Sequence, residues 1–191
     1  FTQTIYREFR LALRNLQSQG MEYLVLDLRE NGGGLVNQAY QIANTFLSSG
    51  QTVFTQKGRL NGTSDTYRSD NSSPDKTPIV MLVNRNTASA SEILAGALQD
   101  HDRALIVGES TFGKGLVQNP FPIEYGSMLL LTIAKYETPS GRLIQRDYSD
   151  GSLYDYYTKG GISGASSDSA TARPTGKESK TDTGRTVYGG G

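Results

Sequence analysis

Ser89 sits in Thr87-Ala88-Ser89-Ala90-Ser91-Glu92, between an apolar run ending at Val83 and a helically periodic run starting near Ala90. A serine at such a strand-to-helix junction stands at the carboxyl edge of a sheet, where open α/β folds place their sites. The Ala90 N–H is then a helix N-terminal donor with no partner inside the helix, suited to the oxyanion formed when a serine attacks a carbonyl. The same residues carry a plainer reading. Ser89-x-x-Glu92 is also a capping box, in which Ser89 accepts from the Glu92 N–H and Glu92 reaches back. Thr87 and Ser91 are further hydroxyls nearby, and the local pattern does not choose among them.

A serine hydroxyl is a poor nucleophile until a neighbour takes its proton. His101 is the only imidazole, and it lies in Gln99-Asp100-His101-Asp102-Arg103, a polar run that reads as a solvated surface loop. Lys114 is better placed. It lies between Gly113 and Gly115, which let the backbone approach a site closely, and Phe112 and Leu116 can screen it from water. Burial disfavours an ammonium and leaves a free amine able to act as a base, the logic of Ser–Lys dyads. A solvated loop lysine is the ordinary alternative. Gln118 either holds the lysine amine through its side-chain oxygen or is an ordinary edge-strand glutamine.

The third element is Asp27-Leu28-Arg29-Glu30-Asn31-Gly32-Gly33-Gly34. Glycines directly after an apolar strand suggest backbone N–H groups aimed at a ligand. The run is neither G-x-G-x-x-G nor followed by Gly-Lys-Ser/Thr, which argues against a nucleotide site. Asp27 and Arg29 read as a structural pair around this loop.

These loops need elements to hold them. Ile5, Phe9, Leu13 and Leu16 share one face of a helix over residues 2–19, ended by Gly20. Residues 23–27 read as a buried strand and 36–47 as a second helix. Residues 52–76 read as a short strand, hairpin and loop. Residues 78–83 are a strand, 90–99 a helix and 104–108 another strand. Residues 128–136 form a long strand pairing with 116–123 across Tyr125-Gly126. The strand–helix–strand order predicts an α/β fold, with a core over residues 1–158. Residues 159–191 are rich in glycine, serine, threonine and charge and read as a polar flexible loop or tail.

The bulk composition narrows the function classes. The chain has 191 residues, 36% hydrophobic, enough for one domain with its own core. The 19 basic and 19 acidic residues balance, without the basic excess of a nucleic-acid binder. No apolar run approaches the roughly 18–20 residues needed to cross a bilayer. With no cysteine and one histidine, cysteine–zinc sites, thiolate nucleophiles and histidine-rich metal centres are excluded.

Three runs in order resemble one family. They are residues 26–35 around the glycines, 84–100 around Ser89 and 107–118 around Lys114, within a resemblance covering about residues 1–146. The family is the C-terminal processing peptidases, or tail-specific proteases. The resemblance implies Ser89 as nucleophile, Lys114 as base and Gln118 as the group orienting the lysine. It implies an oxyanion hole from the Gly34 and Ala90 N–H groups, with Gly33 shaping the loop and Glu92 fixing the helix start. Asp100 matches a position usually acidic in the family, with no chemical step assigned.

The resemblance further implies a single-domain, crotonase-like spiral of β-sheet with packed helices, no metal or organic cofactor, and a protein or peptide substrate cut near its C-terminus. It also implies export to the periplasm or cell envelope of a bacterium. A PDZ domain is expected in the full-length protein, and the chain reads as truncated before a closing strand. The competing expectation is a catalytically silent peptide- or ligand-binding domain of the same fold.

Overall fold

The computed structural model describes residues 1–147 and 176–190. Three helices, α1 (Ile5–Ser18), α2 (Val36–Phe46) and α3 (Ala90–Asp100), pack with two sheets. The first sheet is parallel, in the order β1 (Leu24–Asp27), β4 (Ile79–Val83), β5 (Ala104–Gly108). The second is antiparallel, in the order β3 (Asp65–Arg68), β2 (Thr52–Gly58), β7 (Met128–Glu137), β6 (Leu116–Pro122). The expected α/β class is found.

The parallel register explains why distant segments meet. Asp27 pairs with Leu82, and Leu82 with Val107. Strands that run side by side in one direction release their following loops at the same edge. The loops after β1, β4 and β5 carry the glycine run, Ser89 and Lys114, so all three motifs converge at that edge.

Phe46, Leu47, Val53, Met81, Ile93, Leu94 and Leu98 are almost wholly removed from water between the helices and the sheets. Fully burying each large side chain contributes about 1.5–3 kcal/mol. α3 is buried along nearly its whole length, which makes it a rigid mount for the residue at its start.

Two expectations change. The first helix starts at Ile5 rather than residue 2, because Phe1 is drawn away to the glycine loop: the Leu35 N–H donates to its carbonyl at 2.9 Å. In the stretch read as a polar tail, residues 176–190 contain a hairpin, β8 (Glu178–Lys180) with β9 (Thr186–Tyr188). Polar contacts dock it where apolar area is scarce. The Asp182 N–H donates to the Asp100 carbonyl at 2.9 Å, and the Asp102 carboxylate accepts the Thr183 N–H at 2.7 Å. Residues 148–175 and 191, the end of the expected core and the remainder of that stretch, lie outside the described residues. Among the described residues, no helix is long and apolar enough to cross a membrane.

Candidate active site

Ser89 is the N-cap of α3 and holds φ 57°, ψ −118°. The Ser91 N–H donates to the Ala88 carbonyl at 3.2 Å, closing a tight turn with Ser89 at its first corner. A side chain other than glycine is strained there, at about 1–3 kcal/mol. The sequence gives no sign of this, since nothing about a serine announces a positive φ. Ser89 is half-buried, whereas Thr87 and Ser91 are fully buried.

Both buried hydroxyls have structural partners. Thr87 Oγ1 donates to the Leu28 carbonyl at 2.8 Å and accepts the Asn84 N–H at 3.0 Å. Ser91 Oγ lies 3.0 Å from both the carbonyl and the Oδ1 of Asn31. The Asn31 carbonyl accepts the Ala88 N–H at 3.0 Å, and Asn31 Oδ1 accepts the Gly33 N–H at 3.1 Å. Asn31, to which the sequence reading gave no role, therefore staples the glycine loop to the serine turn.

The fit between loop and turn leaves no room for a side chain. A Cβ added to Gly33, at φ +93°, would stand 2.5 Å from the Ala88 carbonyl oxygen and 2.8 Å from the Ala90 nitrogen and the Ser89 Cβ. Among the described residues, the N–H groups of Gly34 and Ala90 donate to no group. An unpartnered amide next to a half-buried serine is what an oxyanion site requires, and the Gly34 N–H lies one residue past the Gly33 that packs on the serine turn.

Glu92 joins this half to the lysine loop. Its buried carboxylate accepts the Ser89 N–H at 2.7 Å and the Lys114 N–H at 2.8 Å on Oε2. On Oε1 it accepts the Gly113 N–H and the Thr111 hydroxyl, both at 2.6 Å. The Ser89–Glu92 capping box is thus present, and it extends into a tether between two loops. Burial pushes the Glu92 carboxyl above its ordinary 4.5, and the bonds from Thr111, Lys114, Gly113 and Ser89 offset this only in part. The Phe112 N–H donates to the Thr87 carbonyl at 2.9 Å, and Arg146 N–H to the Gly113 carbonyl at 2.9 Å. The Lys114 backbone is therefore fixed from both sides.

The side chains of the expected dyad are less closely joined. Lys114 is half-buried, and its amine is not hydrogen-bonded to the Ser89 hydroxyl or to Gln118. Gln118 is exposed on β6, just past a register shift at Val117/Gln118.

Other singled-out residues do structural work. Arg29 binds Asp27 through Nε at 3.0 Å and Nη2 at 2.7 Å, and this guanidinium bond, with the Arg29 N–H, holds the Asp27 carboxyl at about 2. Asp100, 1% exposed, accepts from Arg142 at 2.5 Å and from the Ser140 hydroxyl at 2.7 Å. His101 is not solvated: its ring is wedged between Asp182, 2.7 Å from Nδ1, and the Thr52 carbonyl, 2.8 Å from Nε2. Among the described residues, no histidine or acidic cluster could hold a metal ion.

The family description Peptidase family S41 matches residues 1–156. A carboxyl-terminal-processing protease of Synechocystis is 45% identical over 139 residues, 73% of this chain and 32% of that protein. A carboxy-terminal-processing protease of Bartonella bacilliformis is 43% identical over 152 residues, 76% of this chain and 34% of that protein. The solved photosystem II D1 C-terminal processing protease superposes with a TM-score of 0.68 at 42% identity, over 76% of this chain and 37% of that one. The chain thus spans about a third of the length of these relatives. By the family match over most of its length and by its identity to these proteases, this chain belongs to peptidase family S41.

Proposed function

We propose that this chain carries the catalytic centre of a serine peptidase that cuts protein substrates near their C-termini. Ser89 Oγ attacks the scissile carbonyl carbon while Lys114, as a free amine, takes its proton. The Gly34 and Ala90 N–H groups hold the resulting oxyanion. Collapse expels the amine product, which takes the proton back from Lys114 and leaves an acyl ester on Ser89. Water then attacks the ester with Lys114 accepting its proton, and Ser89 departs reprotonated. Gln118 orients the lysine once substrate closes the site. Catalytic hydrogen bonds often form only with substrate in place, so the unmade Ser89–Lys114 hydrogen bond is compatible with this role.

The observation that carries the reading is the strained, half-buried Ser89 packed against Gly33, with the unpartnered Ala90 N–H next to it at the start of α3. By analogy with the relatives' names, the full-length protein processes carboxyl termini. An extracytoplasmic location, a PDZ domain for substrate capture and a crotonase-like spiral belong to the same proposal. The test is cleavage of an unstructured protein. The parent should cut it, and Ser89→Ala should not, with the fold retained; equal cleavage by both refutes the assignment.

The unjoined Lys114 and exposed Gln118 favour a second reading, a silent peptide-binding domain of this shape. It predicts peptide binding without turnover and no covalent labelling of Ser89 by a serine-directed probe.

A further inference from the structure

The β8–β9 hairpin lies beyond residues 1–156, where the family description matches, yet it reaches the lysine loop through Arg146. Arg146 Nη2 donates to the Thr111 carbonyl at 2.5 Å, and its Nε donates to the Gly190 carbonyl at 3.0 Å. Its main-chain N–H donates to the Gly113 carbonyl at 2.9 Å. A Cβ on Gly113, at φ +82°, would lie 2.7 Å from the Arg146 Cβ and 3.1 Å from the Gly190 oxygen. Loop, arginine and hairpin end are therefore packed in direct contact.

Two charged residues thus hold the lysine loop by complementary groups. Glu92 accepts the N–H groups of Gly113 and Lys114, and Arg146 donates to the carbonyls of Thr111 and Gly113. Thr111 is bound to both, its hydroxyl on Glu92 and its carbonyl on Arg146. A guanidinium carries its donors in a fixed planar fork, so one side chain can bridge two carbonyls and set the geometry between them. Bonds from such a charged donor are roughly twice as strong as neutral ones. The second carbonyl of that bridge is itself anchored. The Gly190 N–H donates to the Leu143 carbonyl at 3.0 Å, Arg142 Nη1 donates to the Tyr188 carbonyl at 2.6 Å, and Val187 is buried. At its turn the hairpin docks on the Asp100 carbonyl and the Asp102 carboxylate, at the end of the helix that Ser89 begins. The hairpin therefore joins the far end of the nucleophile's helix to the loop that carries the lysine.

We propose that Arg146 is a positioning residue for Lys114, and that the β8–β9 hairpin holds Arg146 in place. Displacing the hairpin end loosens the Arg146 bridge, and with it the loop that presents the amine. This inference rests on the assignment of Lys114 as the base.

The experiment measures the rate of Ser89 phosphonylation by a fluorophosphonate in the parent, Arg146→Ala, Arg146→Lys and Gly189→Ala. Each is made with and without Lys114→Ala, and circular dichroism checks the fold. Gly189→Ala acts on the hairpin alone, because a Cβ there would stand 2.8 Å from the Leu143 carbonyl oxygen and force the hairpin end to move. Arg146→Ala should slow the reaction about 10- to 100-fold, the scale of a reacting group displaced by about an ångström. Residues that act as one unit are non-additive. Lys114→Ala should therefore cost about 100-fold or more in the parent but less than about tenfold in the Arg146→Ala chain. Arg146→Lys keeps the charge but not the fork, so its rate should fall between the two, and it carries the test if Arg146→Ala does not fold. Gly189→Ala should slow the reaction severalfold, with the Lys114 effect again reduced. A parent rate in the folded Arg146 variants overturns the proposal. So does a full Lys114 effect in their background, which would assign the loss to something other than the base. A parent rate in Gly189→Ala overturns the hairpin's share. A Lys114→Ala chain that reacts as fast as the parent removes the base assignment itself, whatever the Arg146 variants do.

Discussion

Replacing Glu92 by glutamine removes one acceptor from the tether between the serine turn and the lysine loop, and the structure sets the size of the effect. Two N–H donors, from Ser89 and Lys114, face Oε2, while the Gly113 N–H and the Thr111 hydroxyl face Oε1. An amide has one oxygen. Turning its NH2 toward the Oε2 side confronts two donors. Turning it toward the Oε1 side confronts only the Gly113 N–H, because Thr111 can accept. The better orientation orphans one buried donor, at about 1–3 kcal/mol. For a chain of this size that lowers Tm by about 2–12 °C. Glu92→Ala orphans every donor and should cost roughly 3 kcal/mol or more.

The sign with pH follows from burial. The folded carboxyl titrates above its ordinary 4.5, so its stabilising contribution is fully present below that value and is lost as pH rises through the folded value. A protonated Glu92 can donate to Thr111 and still accept from Gly113, which glutamine cannot do. The gap between parent and Glu92→Gln should therefore be widest near pH 4 and narrow toward pH 8. Urea unfolding followed by circular dichroism at both pH values measures it. Equal stability of the two chains at both pH values, or a gap that widens with pH, refutes the tether.

Further outcomes follow from the same geometry. Ser89→Gly should abolish turnover yet exceed Ser89→Ala in stability by about 1 kcal/mol, because glycine relieves the positive φ; a thermal melt ranking alanine at or above glycine contradicts the strain. The Asp102 carboxyl is pushed up by desolvation but held at about 2 by its bonds to Thr183, Thr181 and Arg185, which prevail. Its contribution to docking the β8–β9 hairpin is thus present above 3.8 and lost as pH falls through about 2. Amide exchange at Thr183 should accelerate over that window in the parent; a rate for Asp102→Asn equal to the parent's at neutral pH would contradict it.

The elements were legible where period and punctuation agree. The apolar runs over residues 78–83 and 104–108, and the helix starting at Ala90, appear within a residue of expectation. The convergence of the three loops followed from parallel order, which helical crossovers between strands impose. What stayed hidden was long-range. The bond from Phe1 to Gly33 spans 32 positions, and no local pattern marks it. Glu92 looked like a local cap because its second pair of loop partners, Gly113 and Lys114, is more than twenty residues away. His101 looked solvated because its polar neighbours in sequence hide the carbonyl of Thr52 and the Asp182 carboxylate that enclose it. The 176–190 hairpin was missed because side-chain and main-chain hydrogen bonds, rather than an apolar face, hold most of it.

Peptide-level mass spectrometry after exposure to a fluorophosphonate tests the central claim most directly, that Ser89 is a nucleophile driven by Lys114. The folded parent should carry an adduct on Ser89, and Lys114→Ala should react at a rate about 100-fold lower or more, the scale of a lost general base. A folded parent without an adduct on Ser89, or a rate unchanged when the Lys114 amine is gone, would contradict it.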